Sequence, residues 1–187
     1  MENQLCINLP PWVADEIGPD RAYPSDSDKM GLAVRLAAAN VRHGLGGPFG
    51  AAVFEEDTGR LVAVGVNRVL EHRCSTAHAE VVALMLAHAT VGHHRLDAGP
   101  AAGYVLATSA QPCAMCYGAV GWAGISRLII GARREDVQSI TGFDEGPLHP
   151  DWKNELERRG TAVVTDVLRE AACDALRAYH DGGGAVY

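Results

Sequence analysis

Two short stretches restrict what this chain can fold into more than anything else in it. They are His78-Ala79-Glu80 and, thirty-odd residues later, Pro112-Cys113-Ala114-Met115-Cys116. His78, Cys113 and Cys116 are metal-ligand side chains, and Glu80 is a carboxylate close to the first of them. That set is one ligand short of a closed tetrahedral zinc site. Structural zinc sites fill all four positions from the protein, whereas catalytic ones keep one for water. A water held there loses its proton near neutral pH, and an adjacent Glu can shuttle it. The fold must therefore bring two distant segments to one point.

Local geometry sets conditions on both halves. Pro112 followed by Cys113 and Cys116 reads as a helix start, where unsatisfied N–H groups favour thiolates. A spacing of three puts both sulfurs on one side of the first turn. Residues two apart on an ideal helix point to nearly opposite sides, so His78 and Glu80 can share a site only if His78 sits at the helix mouth. Each half has a bland alternative. The C-x-x-C pair alone could be a redox couple, and Glu80 a solvated residue at an ordinary helix start. Cys74, four residues before His78, could close a Cys₃His structural site with no chemistry.

Read in order, residues 1–24 form an irregular lead-in marked by Pro10-Pro11, Gly18-Pro19 and Pro24. A helix capped at Ser25 or Asp26 runs to about Arg42, with Met30, Ala33, Val34, Ala37 and Val41 at helical spacing. Strands at 50–55 and 60–66 flank a turn at Asp57-Thr58-Gly59. After a polar loop, Val81, Val82, Leu84, Met85 and Leu86 predict a well-buried helix ending near Gly92. Strands at 104–108 and 128–131 follow, the second apolar without alternation, as a strand covered on both faces should be. A short helix after Arg134, a loop through Gly142-Phe143-Asp144-Glu145, a helix at 151–159, a strand at 162–165 and a last helix complete the domain. The expectation is one α/β catalytic domain over 25–181, a mixed five-stranded sheet between helices, with a flexible tail at 182–187. Both metal motifs fall at strand-to-helix passages, where such sheets bind ligands.

Composition narrows the substrate. The formal net charge of −7 over 187 residues disfavours nucleic acid, whose binders carry a Lys/Arg stripe. Arg133-Arg134 is too short to be one. No apolar run approaches the roughly 20 residues of a membrane span, and Met1 to Pro11 lacks signal-peptide features. Five scattered cysteines suit a metal site in a reducing cytoplasm better than a disulfide framework.

The H-x-E…P-C-x-x-C arrangement resembles the zinc-dependent cytidine deaminase superfamily, whose signature it matches. Within it the chain looks most like the bacterial guanine deaminases. The distinctive points are Gly47-Pro48-Phe49-Gly50-Ala51, Asn67, Trp122 and Gly142-Phe143-Asp144-Glu145. The resemblance implies a three-layer cytidine deaminase-like fold and one Zn²⁺ per subunit on His78, Cys113 and Cys116. It implies Glu80 and Glu145 as proton carriers. Asn67, Phe49, Trp122 and the backbone N–H of Ala79 would contact a free nucleobase. The expected reaction is guanine to xanthine plus ammonia. It further implies a homodimer in which the tail is exchanged and Tyr187 covers the partner's site.

Alternatives stay open at this level. The substrate could be guanosine, cytosine, a triazine of the ammeline type or tRNA adenosine, since ring substituents change only pocket contacts. A non-catalytic zinc-stabilised binding protein is the other class. Glu145 could be an ordinary turn acid and the tail a frayed terminus.

Overall fold

A computed structural model describes residues 6–18 and 22–187. Readings that fall on residues 1–5 and 19–21, including the first part of the lead-in and Pro19, lie outside the described residues.

The lead-in carries one helical turn, α1 (Val13–Glu16), rather than being wholly irregular. Trp12 beside it stacks on His43 with ring centroids 5.1 Å apart. Helix α2 (Asp26–Arg42) starts at a reciprocal cap: the Asp28 N–H donates to Ser25 Oγ and the Ser25 N–H to Asp28 Oδ2, both at 3.0 Å. Two leading N–H groups are thereby satisfied.

Strands β1 (Gly50–Glu55) and β2 (Leu61–Val66) pair antiparallel, and Gly59 takes the positive φ of 66° their turn needs. The stretch after β2 includes the short helix α3 (Val69–His72), which the polar composition did not announce. Helix α4 (Ala79–Val91) ends on left-handed Gly92. It is less buried than its apolar sequence predicts, with Met85 54% exposed. A 3₁₀ turn at Leu96–Ala98, strand β3 (Tyr104–Ala110) and helix α5 (Ala114–Ala123) follow. Then come β4 (Arg127–Ala132), α6 (Arg134–Thr141), α7 (Trp152–Arg158), β5 (Ala162–Val164) and α8 (Arg169–Asp181).

The five strands form one mixed sheet in the order β2-β1-β3-β4-β5. β1 is antiparallel to both neighbours, while β3, β4 and β5 are parallel. Strand alternation divides the core into two layers. Ala51, Val53, Leu106, Leu128 and Ile130 pack with Ala83 and Leu84 of α4 and Val120 of α5. Ala52, Phe54, Val105, Ala107 and Ile129 pack with Met30, Ala33 and Leu36 of α2. The result is the three-layer α/β architecture expected from the order of elements. No helix among the described residues is long and apolar enough to cross a membrane.

This topology decides where chemistry can occur. Because β1 opposes both β2 and β3, the carboxyl ends of β2, β3 and β4 reach the same sheet edge. Those ends lead into His78, Cys113 and Arg134 respectively.

Candidate active site

His78 is the N-cap of α4, with φ −71° and ψ 154°, so its backbone is still extended when the helix begins. That resolves the His-x-Glu problem: the ring leaves before helical turning starts, and Glu80 turns in one residue later. Cys113 caps α5 with φ −65° and ψ 174°, and Cys116 lies in its first turn. The two helix starts meet. His78 Nδ1 lies 3.6 Å from Cys113 Sγ and 3.6 Å from Cys116 Sγ, and all three ligand atoms fall within 4.8 Å of one another.

These distances test the metal reading. Zn–S bonds of about 2.3 Å and Zn–N bonds of about 2.0–2.1 Å at a tetrahedral angle put N and S about 3.5–3.6 Å apart. The observed spacing fits one tetrahedral ion with three protein ligands. Cys74 does not belong to the set. It is partly exposed, and its Sγ bonds Thr76 Oγ1 at 3.2 Å.

The thiols are prepared for the role. Cys113 is lowered to about 4, chiefly by its hydrogen bond from the Cys116 thiol and secondarily by His78. Cys116 is pushed up, because it is the donor to Cys113 and is buried. A divalent cation held by both sulfurs would take the place of the proton between them.

Two carboxyls close around this set. Glu80 is 6% exposed, and burial, followed by the charge of Cys113, raises its pKa. Glu145 is 7% exposed and is raised to about 8 by burial and then by the negative charges of Cys113 and Glu80. Its segment is tied to the metal side by the Ala114 N–H, which donates to the Glu145 carbonyl at 3.0 Å.

Both carboxyls line a cavity of ≈ 110 Å³ with His78, Cys113, Phe49, Asn67, Gln111, Phe143, Asp144 and Tyr187. Antiparallel pairing of β1 and β2 places Phe49 and Asn67 side by side, and the Asn67 N–H donates to the Phe49 carbonyl at 3.1 Å. Buried Asn40 fixes the neighbouring backbone through Nδ2, which donates to the carbonyls of Gly47 and Asn67 at 2.9 and 3.0 Å. The Asn67 side-chain oxygen accepts from the Gly47 and Val69 N–H groups and from the Tyr187 hydroxyl, which leaves its Nδ2 as the donor end. Phe143 stands edge-on to both Phe49 and Tyr187, with centroids 5.4 and 5.0 Å apart.

Of the residues expected from sequence, the structure brings together His78, Cys113, Cys116, Glu80, Glu145, Asn67, Phe49 and Tyr187. Trp122 is not among them: it is 79% exposed and lines surface grooves beside Tyr117 and Met85. Ala79 is buried as the first residue of α4 but does not line the cavity. Tyr187 reaches the cavity within its own chain, where its hydroxyl donates to Asn67 Oδ1. The sequence did not single out as wall residues Gln111, next to Pro112, or Phe143 and Asp144, which lie within the Gly142–Glu145 motif.

The fold and site together define a metal-dependent aminohydrolase, with three protein ligands and buried proton carriers facing one small cavity. The profile of the cytidine and deoxycytidylate deaminase zinc-binding region matches residues 24–132. The chain belongs to this family of zinc-dependent hydrolytic deaminases. It is similar to the guanine deaminase of Bacillus subtilis, 36% identical over 138 residues, covering 74% of this chain and 83% of the other. A solved structure of guanine deaminase from Nitrosomonas europaea is 46% identical, with a TM-score of 0.90 over 97% of this chain and 98% of that one. A variant of the protein NE0047 in complex with 8-azaguanine is likewise 46% identical, with a TM-score of 0.90 over 96% and 98%.

Proposed function

We propose that this protein deaminates free guanine to xanthine and ammonia. One observation carries the reading: a second buried carboxyl, Glu145, shares the cavity with Glu80 and the ligand set. Deamination moves two protons, one from water to the ring and one to the departing amine, and ammonia leaves far more readily than amide ion. Zinc on His78, Cys113 and Cys116 supplies Lewis acidity, which makes water acidic near neutral pH.

The chain's own residues do the rest. Glu80 takes a proton from the attacking water and gives it to N3 as the C2–O bond forms. Glu145 then delivers a proton to the C2 amino group. The C2–N bond breaks, the C2 hydroxyl proton returns to a carboxylate, and ammonia departs. Asn67 Nδ2 donates to an acceptor on the base, whose faces meet Phe49 and Phe143. The cavity is small, which favours a free base over a nucleoside or a folded RNA. The relatives named as guanine deaminases, and the 8-azaguanine bound by NE0047, support the purine. The NE0047 complex aligns over nearly all of this chain.

The same reading extends to assembly. Helix α5, Ala114 to Ala123, has no charged residue, yet Trp122 on it and Met85 on α4 are exposed and line one groove. An apolar face of this kind suits a second copy, hence a homodimer. The need to keep Cys113 and Cys116 reduced fits the cytoplasm.

The test is to incubate zinc-loaded protein with guanine, guanosine, adenine, cytosine, cytidine and ammeline, and to measure ammonia and product. Xanthine and ammonia from guanine are expected. Turnover of a different base alone overturns the substrate, and no turnover of any base overturns the enzyme.

A further inference from the structure

The Glu145 carboxyl makes no hydrogen bond to the protein among the described residues, and residues 142–149 form neither helix nor strand. Its position therefore depends on what anchors the backbone around it. Three hydrogen bonds do so. The Ala114 N–H donates to the Glu145 carbonyl at 3.0 Å, and the Gly146 N–H to Asp144 Oδ1 at 2.9 Å. The third comes from another element: Arg134 Nη2 donates to the Gly146 carbonyl at 2.6 Å.

Arg134 is the first residue of α6, delivered by β4 to the edge that carries His78 and Cys113. Its backbone N–H also donates to Gln111 Oε1 at 3.3 Å. One residue thus ties the wall before Cys113 to the segment behind it. Arg134 makes no ion pair among the described residues, and its charge acts on the Glu145 carboxyl at longer range, favouring the ionised form.

We propose that Arg134 is a positioning residue whose guanidinium, through the Gly146 carbonyl, sets where the Glu145 carboxyl sits in the cavity. This rests on the proton-carrying role given to Glu145 above. Arg134 touches neither the ligand set nor the reacting atoms. A shift of an ångström in a proton carrier is felt in turnover long before it is felt in binding.

The experiment compares R134M, R134K, E145Q and the double variant R134M/E145Q. Readouts are kcat, KM, zinc content, melting temperature and hydrogen exchange. R134M is expected to lower kcat about 10- to 100-fold while KM changes less than about threefold, with zinc retained. Amide exchange over 143–147 should rise, and R134K, which keeps a charge and a donor, should recover part of the loss. In the E145Q background R134M should cost little more, because the group it positions is gone. An unchanged kcat in R134M, an equal loss with and without Glu145, or R134K no better than R134M overturns the inference. If R134M fails to fold, R134K and R134K/E145Q are read the same way. An E145Q variant with full turnover instead removes the Glu145 role, a distinct failure visible without touching Arg134.

Discussion

The Tyr187 hydroxyl donates a 2.6 Å hydrogen bond to Oδ1 of Asn67, a residue 120 positions earlier in the chain. The tail reaches that point because Tyr179 Oη donates to the Ala185 carbonyl at 2.7 Å and the Gly184 N–H to the Tyr179 carbonyl at 2.9 Å. Gly47, without a side chain, leaves room for the hydroxyl, since a Cβ there would collide with it. The tail thus orients the amide proposed to bind the base while its ring covers the cavity beside Phe143.

Two variants separate these duties. Y187F keeps the ring but loses the donor, while Oδ1 retains the Gly47 and Val69 N–H groups. Its kcat/KM should fall about 2- to 10-fold, the worth of one net hydrogen bond. Deleting residues 182–187 removes the cover as well and should cost more, with KM rising. Steady-state kinetics on guanine distinguishes the two. A truncation no worse than Y187F means the ring covers nothing of consequence.

For Glu80 the expected change is in turnover alone. E80Q keeps the volume of a side chain that is 6% exposed, so packing and the three ligands survive. Removing a proton carrier should lower kcat about 10²- to 10⁴-fold. Zinc content, measured by elemental analysis, should stay at one per chain. A non-catalytic zinc protein would show no difference in any assay.

Cys74 and Cys116 give opposite outcomes. Cys74 Sγ bonds Thr76 and lies outside the ligand set, so C74S should retain zinc and activity. Cys116 is fully buried beside His78 Nδ1, and C116S should lose both. Zinc loss in C74S would restore the closed Cys₃His site.

Glu145 makes the metal-free protein sensitive to pH in a defined direction. Its folded pKa is about 8, from burial first and then from the charges of Cys113 and Glu80, whereas an unfolded Glu titrates near 4.3. Below the unfolded value both states hold the proton and the group contributes nothing. As pH rises from there toward 8, the unfolded chain releases the proton and the folded one retains it, so stability falls. E145Q removes this term. In chelated samples the melting temperature of E145Q relative to the parent should therefore rise between pH 5 and pH 8. Zinc, as a nearby cation, should shrink the difference. A flat difference across that range would show that Glu145 titrates normally.

Much of this site was legible because its parts are local. The cap at Ser25, the turn at Gly59 and both helix starts with their ligands follow from side chains within four residues of one another. Trp122 was not legible for a physical reason. Helix α5 is apolar on every side, so its sequence has no polar face to reveal which side meets solvent. Met85 misled in the same way on α4. Gln111 and Arg134 act through hydrogen bonds to groups 23 and 12 residues away, and nothing local encodes such partners.

Gly65 tests whether the sheet itself sets the metal geometry. It lies in β2 where the first turn of α4 presses on the strand, and a Cβ there would run into the Ala79 carbonyl and the Ala83 nitrogen. Those are backbone atoms of the helix that His78 caps, so they cannot give way as a side chain would. G65A must therefore push the α4 start away from β2 or strain the strand, at about 1–3 kcal/mol for overpacking. Cys113 and Cys116 are carried by α5 on a different strand and would not follow. The 3.6 Å spacing between His78 and the sulfurs would then open, and zinc would be bound more weakly. The expected result is a lower melting temperature together with a higher zinc dissociation constant in a chelator competition. Loss of stability with unaltered zinc affinity would show that the ligands tolerate movement of α4 and that the strand contact serves packing alone.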